Sequence, residues 1–222
     1  MSSTRSMSEP PLRRADVRLR DGSRVCVRPG RRADRGLLLR GFERLSPSSR
    51  YRRFLASTPE LSGAMVRYLT EIDHHDHEAL VAIDDGTGEG VGVARYVRHS
   101  DRPAAAEVAV TVVDDWQGRG LGTLLMEALS ARARQEGIAS FTALMLAAND
   151  EMMELLRRLG PVRVVGRESG VVEIEVPIPD AGVAPALRGL LRLSATADVT
   201  VPPPAAGPER QRAAWALNQP VP

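Results

Sequence analysis

The chain has 222 residues, enough for one ordinary domain with tails or at most two small ones. With 4% aromatic residues and a formal net charge of +2, neither stacked-ring recognition of nucleic acid nor a basic nucleic-acid arm is indicated. All 30 basic Lys+Arg residues are arginine, which excludes a Walker A lysine, a Schiff-base lysine and a kinase-type phosphate lysine.

Residues 1–14 are polar and rich in Pro, Ser and Arg, so a mobile leader is expected there. They lack the apolar core of a signal peptide, and no apolar run reaches the ~18 residues of a membrane span. A soluble, cytoplasmic protein with no membrane partner is the expectation. Val17-Arg18-Leu19 and Val25-Cys26-Val27 alternate around Asp21-Gly22, a hairpin signal. Cys26 lies within that alternation and reads as core filler. Asp34 is placed to cap a helix running to about Leu45, and Ser46-Pro47-Ser48 breaks it. A short helix over Ser49–Leu55 carries Arg50, Arg52 and Arg53, which either meet an acidic patch on a partner or form a solvated face. Ser62 opens another helix, with Met65, Val66 and Leu69 at helical spacing.

Strands are predicted over Ala79–Ile83, Val91–Val97 and Glu107–Val113, with loops at residues 84–90 and 99–105. His74-His75-Asp76-His77 precedes the first of them. Adjacent histidines rarely ligate one ion, and neither a Cys partner nor an H-E-x-x-H helix is present. No metal is expected; a loop at a substrate mouth and plain structural hydrogen bonding both remain open. A helix follows from Leu124 to a stop at Gly137, then a strand at Phe141–Leu146, a helix at Asp150–Leu159, and strands at Val162–Val165 and Val171–Ile178. From Pro179 the chain turns Pro/Ala-rich, with a short apolar helix possible over Ala184–Leu193. The expectation is thus an α+β domain over 15–178 with a mostly antiparallel sheet, flanked by a leader (1–14) and a largely disordered tail (179–222).

Between the third strand and its helix stands Trp116-Gln117-Gly118-Arg119-Gly120-Leu121-Gly122. Thr123 occupies the third glycine position of a Rossmann fingerprint, and no acidic residue follows in the required place. What remains is a strand, a loop of small residues and a helix start. Main-chain N–H groups converge there and the helix dipole adds positive potential, which suits a diphosphate.

These residues carry a resemblance to the GNAT superfamily of N-acetyltransferases. Gln117-Gly118-Arg119-Gly120-Leu121-Gly122 matches its Gln/Arg-x-x-Gly-x-Gly/Ala acyl-CoA loop, and Asn149 falls in family order at the next helix start. The branch of bacterial protein-lysine acetyltransferases, whose catalytic domain can be fused to a cyclic-nucleotide-binding domain, is similar through Leu45–Phe54, Ile72-Asp73, His77–Ala82 and Ala106–Val110. The resemblance spans about residues 15–178. It implies acetyl-CoA as cosubstrate, bound by Gln117, Gly118, Arg119, Gly120, Leu121 and Gly122. It further implies pantetheine pairing to the main chain of Ala109, Val110 and Thr111, and a contact of Asn149 with the CoA arm, although Asn149 also reads as a simple N-cap. The acceptor it implies is an exposed lysine of a protein, an acyl-CoA synthetase being one candidate.

Glu107 shares a strand face with Ala109 and Thr111, and a carboxylate among apolar neighbours gains proton affinity. The resemblance gives Glu107 the role of general base; a solvated strand-end glutamate is the alternative. Two departures stand out. Gly160-Pro161 replaces the family's usual Gly-Phe, and no tyrosine follows Asn149 where many relatives keep a general acid. The short leader makes regulation by a nucleotide bound in the same chain unexpected. A small-molecule amine acetyltransferase and a non-catalytic acyl-CoA sensor remain as alternatives, since a fold does not fix its acceptor.

Overall fold

A computed structural model describes residues 14–179. The expected leader, the tail and the helix at 184–193 therefore lie essentially outside the described residues. Two strands, β1 (Ala15–Arg18) and β2 (Arg24–Pro29), form the predicted hairpin. Three helices follow: α1 (Arg35–Glu43), α2 (Pro47–Phe54) and α3 (Gly63–Thr70). Next come β3 (His77–Asp84), β4 (Gly90–Arg98) and β5 (Ala105–Val112). The chain then runs through α4 (Leu121–Gln135), β6 (Ser140–Leu146), α5 (Asp150–Arg157), β7 (Arg163–Glu168) and β8 (Val171–Pro177).

The strands form one eight-stranded sheet in the order β1-β2-β3-β4-β5-β6-β8-β7. Every pairing is antiparallel except β5 with β6. The helix between β5 and β6 supplies the crossover that a parallel pair needs. This is the expected mixed α+β arrangement.

Register assigns the two faces. On one, Gly92, Ala94 and Tyr96 of β4 lie level with Val112, Val110 and Val108 of β5, and α4 packs there. Gly92 keeps that face shallow: a Cβ there would meet Leu125 Cδ1 at 3.0 Å and Leu121 Cδ2 at 3.3 Å. Leu121, Leu125, Met126 and Leu129 fill the space against Leu80, Tyr96 and Phe141, all essentially without solvent exposure. On the opposite face Val93, Arg95 and Val97 lie beside Thr111, Ala109 and Glu107, and the Leu69 carbonyl of α3 accepts from Arg95 Nη2 at 2.9 Å.

Local capping follows the sequence in two helices. Ser46 Oγ accepts from Ser49 N and Ser62 Oγ from Met65 N, both at 3.2 Å. Asp34 departs from expectation. It stands at the α1 boundary, but its carboxylate caps nothing there; it takes Arg28 at 2.6 and 2.7 Å and Arg31 N at 2.8 Å. A bidentate charged pair outcompetes a single capping bond. Cys26 is buried as expected, and burial pushes its thiol up.

Candidate active site

β5 is the wall on which the cleft is built. It pairs with β4 along its whole length, from Gly92–Val112 to Arg98–Ala106. Its pairing with β6 covers only Ala105–Ser140, Ala106–Phe141 and Glu107–Thr142, after which the two strands diverge. A cleft of about 1710 Å³ opens in that divergence, with Glu107 and Thr142 at its vertex and the glycine loop at its other end. Five residues at ~3.3 Å each separate Glu107 from the end of β5, a wall of roughly 17 Å.

Strand alternation decides which main-chain groups face the cleft. Val113 N donates to Val91 O at 3.1 Å, so the odd-numbered residues of β5 bond to β4. Both polar groups of Val110 and the carbonyl of Val108 consequently point into the gap beyond the last β6 pair. Of the three positions expected to offer main chain, Val110 does so. Ala109 and Thr111 turn theirs to β4 and present side chains to the cleft instead. The Val112 carbonyl is taken by Gln117 Nε2 at 3.0 Å, which fixes the strand end to the loop.

The loop is a main-chain surface. Gly118 and Gly120 adopt φ of +73° and +86°, and a Cβ at either would meet nothing within 4 Å. Both therefore bare their backbone to open space in a conformation other residues reach only with strain. Gly120 is the N-cap of α4, whose first turn holds no acidic residue. Leu124 N is the first helix donor, to Gly120 O at 3.1 Å, which leaves the N–H groups of Leu121, Gly122 and Thr123 without an intrahelical partner. This geometry fits a diphosphate.

Side chains in the loop serve the fold. Leu121 is 1% exposed and packs in the core. Arg119 turns to the β1–β2 hairpin, donating to Asp21 Oδ2 and Ser23 Oγ at 3.1 Å, and its guanidinium lies 4.8 Å from the Trp116 ring centroid. Arg119 thus offers the cleft its backbone while its charge is engaged elsewhere. Asn149 Oδ1 accepts from Met152 N at 3.1 Å as the N-cap of α5; the residue also lines the cleft, with its amide nitrogen left to donate.

The vertex is a different surface. Glu107 is there with Thr142, whose Oγ1 lies 2.7 Å from His99 Nε2, and with Tyr68 of α3 and Arg53 of α2. Burial lowers the pKa of Arg53, while Glu107 favours its charged form. Arg95 behind it is fully enclosed; burial pulls it down to about 9, helped by the like charge of Arg53. Sequence reasoning passed over Tyr68, His99, Thr142 and Arg95. The one available signal is the Arg50–Arg53 run, whose two expected roles both lie on the surface. Arg52 does stay on the surface, paired with Glu151 of α5 at 3.0 Å, whereas Arg50 donates to Pro59 O and Glu43 O and stacks 4.3 Å over Phe42.

The histidine loop lies away from the cleft and is structural. Glu78, 1% exposed, receives His74 Nδ1 at 2.8 Å, Ala79 N at 2.9 Å and Arg132 Nε at 3.2 Å. Arg132 Nη2 reaches His74 O at 2.6 Å, and Glu136 is bonded by both Arg132 and His75. These bonds tie the loop to the C-terminal half of α4. Among the described residues no group of three His, Cys, Asp or Glu is arranged to hold a metal ion.

With this geometry in place, three likenesses identify the family. Residues 45–160 match the family described as acetyltransferase (GNAT). Over 169 residues the chain is 37% identical to acetyltransferase Pat of Mycolicibacterium smegmatis, covering 76% of this chain but only 50% of Pat. It therefore spans about half the length of that relative. The solved GNAT domain of S. lividans PAT is 37% identical, with a TM-score of 0.69, over 74% of this chain and 97% of that one. A shorter likeness, 36% over 86 residues, is to the L-methionine sulfoximine/L-methionine sulfone acetyltransferase of Pseudomonas aeruginosa, covering 36% of this chain and 49% of that one. The chain belongs to the acetyltransferase (GNAT) family.

Proposed function

We propose that the protein transfers the acetyl group of acetyl-CoA to a lysine ε-amine of another protein, with Glu107 as general base. One observation carries the reading: β5 and β6 part immediately after Glu107, leaving a strip of free main chain that leads to the bare helix start at Gly118–Gly122. Diphosphate contact falls to the loop N–H groups, and an extended amide-bearing arm lies along Val108 and Val110. Its thioester then comes to rest near Glu107. The resemblance of Leu45–Phe54, His77–Ala82 and Ala106–Val110 to the bacterial protein-lysine acetyltransferases favours a protein acceptor.

The transfer needs an unprotonated amine aligned with the thioester. Glu107 takes a proton from the acceptor ammonium. The amine nitrogen bonds to the carbonyl carbon, and the carbon–sulfur bond breaks with its electron pair staying on sulfur. The second amine proton balances the departing thiolate as thiol. Among the described residues no tyrosine follows Asn149 to supply that proton from the α5 side.

A second reading, a small-molecule amine as acceptor, draws on the shorter likeness to the methionine sulfoximine enzyme. The two separate when purified protein is incubated with acetyl-CoA and bacterial lysate that includes an acyl-CoA synthetase. Acetyl-lysines seen by mass spectrometry support the proposal. Unmodified proteins with consumption of small amines would replace it with the second reading.

A further inference from the structure

The two faces of the sheet are filled to different degrees. Toward α4, Leu80 and Ala82 of β3, Ala94 and Tyr96 of β4 and Val108 of β5 are at most 3% exposed. Toward α1–α3, the same interior strands carry Val81, Ile83 and Val93, which all keep part of their surface. Protein interiors leave few voids, so unfilled apolar positions on central strands mark a space that the fold itself does not use. That space is a chamber of about 100 Å³. Val81, Val93 and Thr111 are cross-strand neighbours and form its floor, while Leu37, Leu38 and Phe42 of α1 roof it. Charged groups in its wall have partners: Asp34 takes Arg28, and Arg95 donates to the Leu69 carbonyl and lies 3.1 Å from His77 Nε2.

Arg53, Phe54, Leu69 and Thr111 line both the chamber and the cleft, so the two spaces share one wall. Register sets that wall beside the reacting end. Glu107, Ala109 and Thr111 project from one face of β5, the face on which the chamber lies. Ala79, Arg95 and Ala109 form the next row across the sheet from Glu107, and the first two of them line the chamber. Two residues of strand at ~3.3 Å each, roughly 7 Å, separate Glu107 from that row. On β5 the row ends in the methyl of Ala109, which leaves room above it.

We propose that the chamber receives the alkyl tail of acyl-CoA thioesters longer than acetyl, butyryl and hexanoyl among them, and that the site binds these more tightly than acetyl-CoA. The inference rests on the reading of the cleft as the seat of a CoA thioester whose carbonyl lies near Glu107. An acetyl methyl ends in the cleft, whereas each added methylene leaves water for an apolar wall. Apolar cavities of this order take small hydrocarbon guests. The displacement at the carbonyl carbon is unchanged.

Calorimetric titration of acetyl-, butyryl- and hexanoyl-CoA into the protein, with no acceptor present, tests this. Affinity should rise ~4-fold per methylene that enters the chamber, hence ~16-fold from acetyl to butyryl. Val93→Phe fills the chamber from its floor and should abolish the gain while leaving acetyl-CoA affinity as it is. Val93→Ala enlarges the chamber and should move the preference further toward hexanoyl-CoA, which decides the matter even if Val93→Phe folds poorly. Equal affinity for the three thioesters in wild type, or a gain that neither variant alters, overturns the proposal and leaves the reading of the cleft standing. Binding of none of the three overturns that reading and the proposal with it.

Discussion

The two ends of the cleft are made of different material. At Gly118–Gly122 the protein presents backbone, and the larger side chains of the loop are turned into the fold, Leu121 into the core and Arg119 onto Asp21. At the vertex it presents side chains gathered from four segments of chain: Arg53, Tyr68, His99 and Glu107. A main-chain site tolerates variation in its side chains but not in its dihedral angles. A side-chain site has the opposite weakness. Binding should therefore fail through changes at one end, and chemistry through changes at the other.

The largest expected effect is at the vertex. Glu107→Gln should lower turnover by ~10²–10⁴-fold, with the deficit shrinking as pH approaches the acceptor's own pKa, which a pH–rate profile reads directly. Next comes the histidine rim, which neither end of the cleft uses. Glu78→Ala should cost about 3 kcal/mol of folding stability, because Arg132 and His74 lose a buried acceptor. Denaturant unfolding measures that cost.

His77 gives the next effect. Its pKa is lowered from 6.5 to about 3, chiefly by burial and then by the Arg95 charge whose Nη1 lies 3.1 Å from Nε2. Since the folded value lies below the unfolded one, its contribution is complete above about 6.5 and declines as pH falls through that window. The slope should reach about 1.4 kcal/mol per pH unit. His74 runs the other way: Glu78 raises it, so its contribution is present at lower pH and lost as pH rises. Comparing His77→Gln with wild type by denaturation between pH 7 and pH 4 isolates the first effect; parallel curves would remove His77 from the account. The smallest change is Asn149→Ala, about 1 kcal/mol from the lost α5 cap, with a modest loss of acetyl-CoA affinity if its amide also meets the ligand.

The same division explains what could be read in advance. Glycines and strand periodicity are local signals, so the loop, the helix start at Gly120 and the strand leading to it were legible. Which residues of β5 bare their backbone depends on register with β4, which period two alone leaves open. Hence Ala109, Val110 and Thr111 looked equivalent, whereas pairing parity separates Val110 from the other two. Arg53 was illegible for a related reason. Arg52 and Arg53 both line the cleft, and in an arginine-rich turn of helix nothing local distinguishes Arg53 from Arg52, which reaches Glu151 ninety-nine positions away. Asp34 and Arg119 show the limit from the other direction, since each has a local reading that a charged partner overrides, Arg28 from the neighbouring strand for one and Asp21 from the first hairpin for the other.

The claim that one end binds and the other reacts is tested most directly by calorimetric titration of acetyl-CoA into Gly120→Glu and Glu107→Gln. Open space around Gly120 lets the added side chain stand in the path of the diphosphate, so affinity should fall by roughly 100-fold or more. Glu107→Gln should bind as wild type does. Wild-type affinity in Gly120→Glu, or lost affinity in a correctly folded Glu107→Gln, would contradict it.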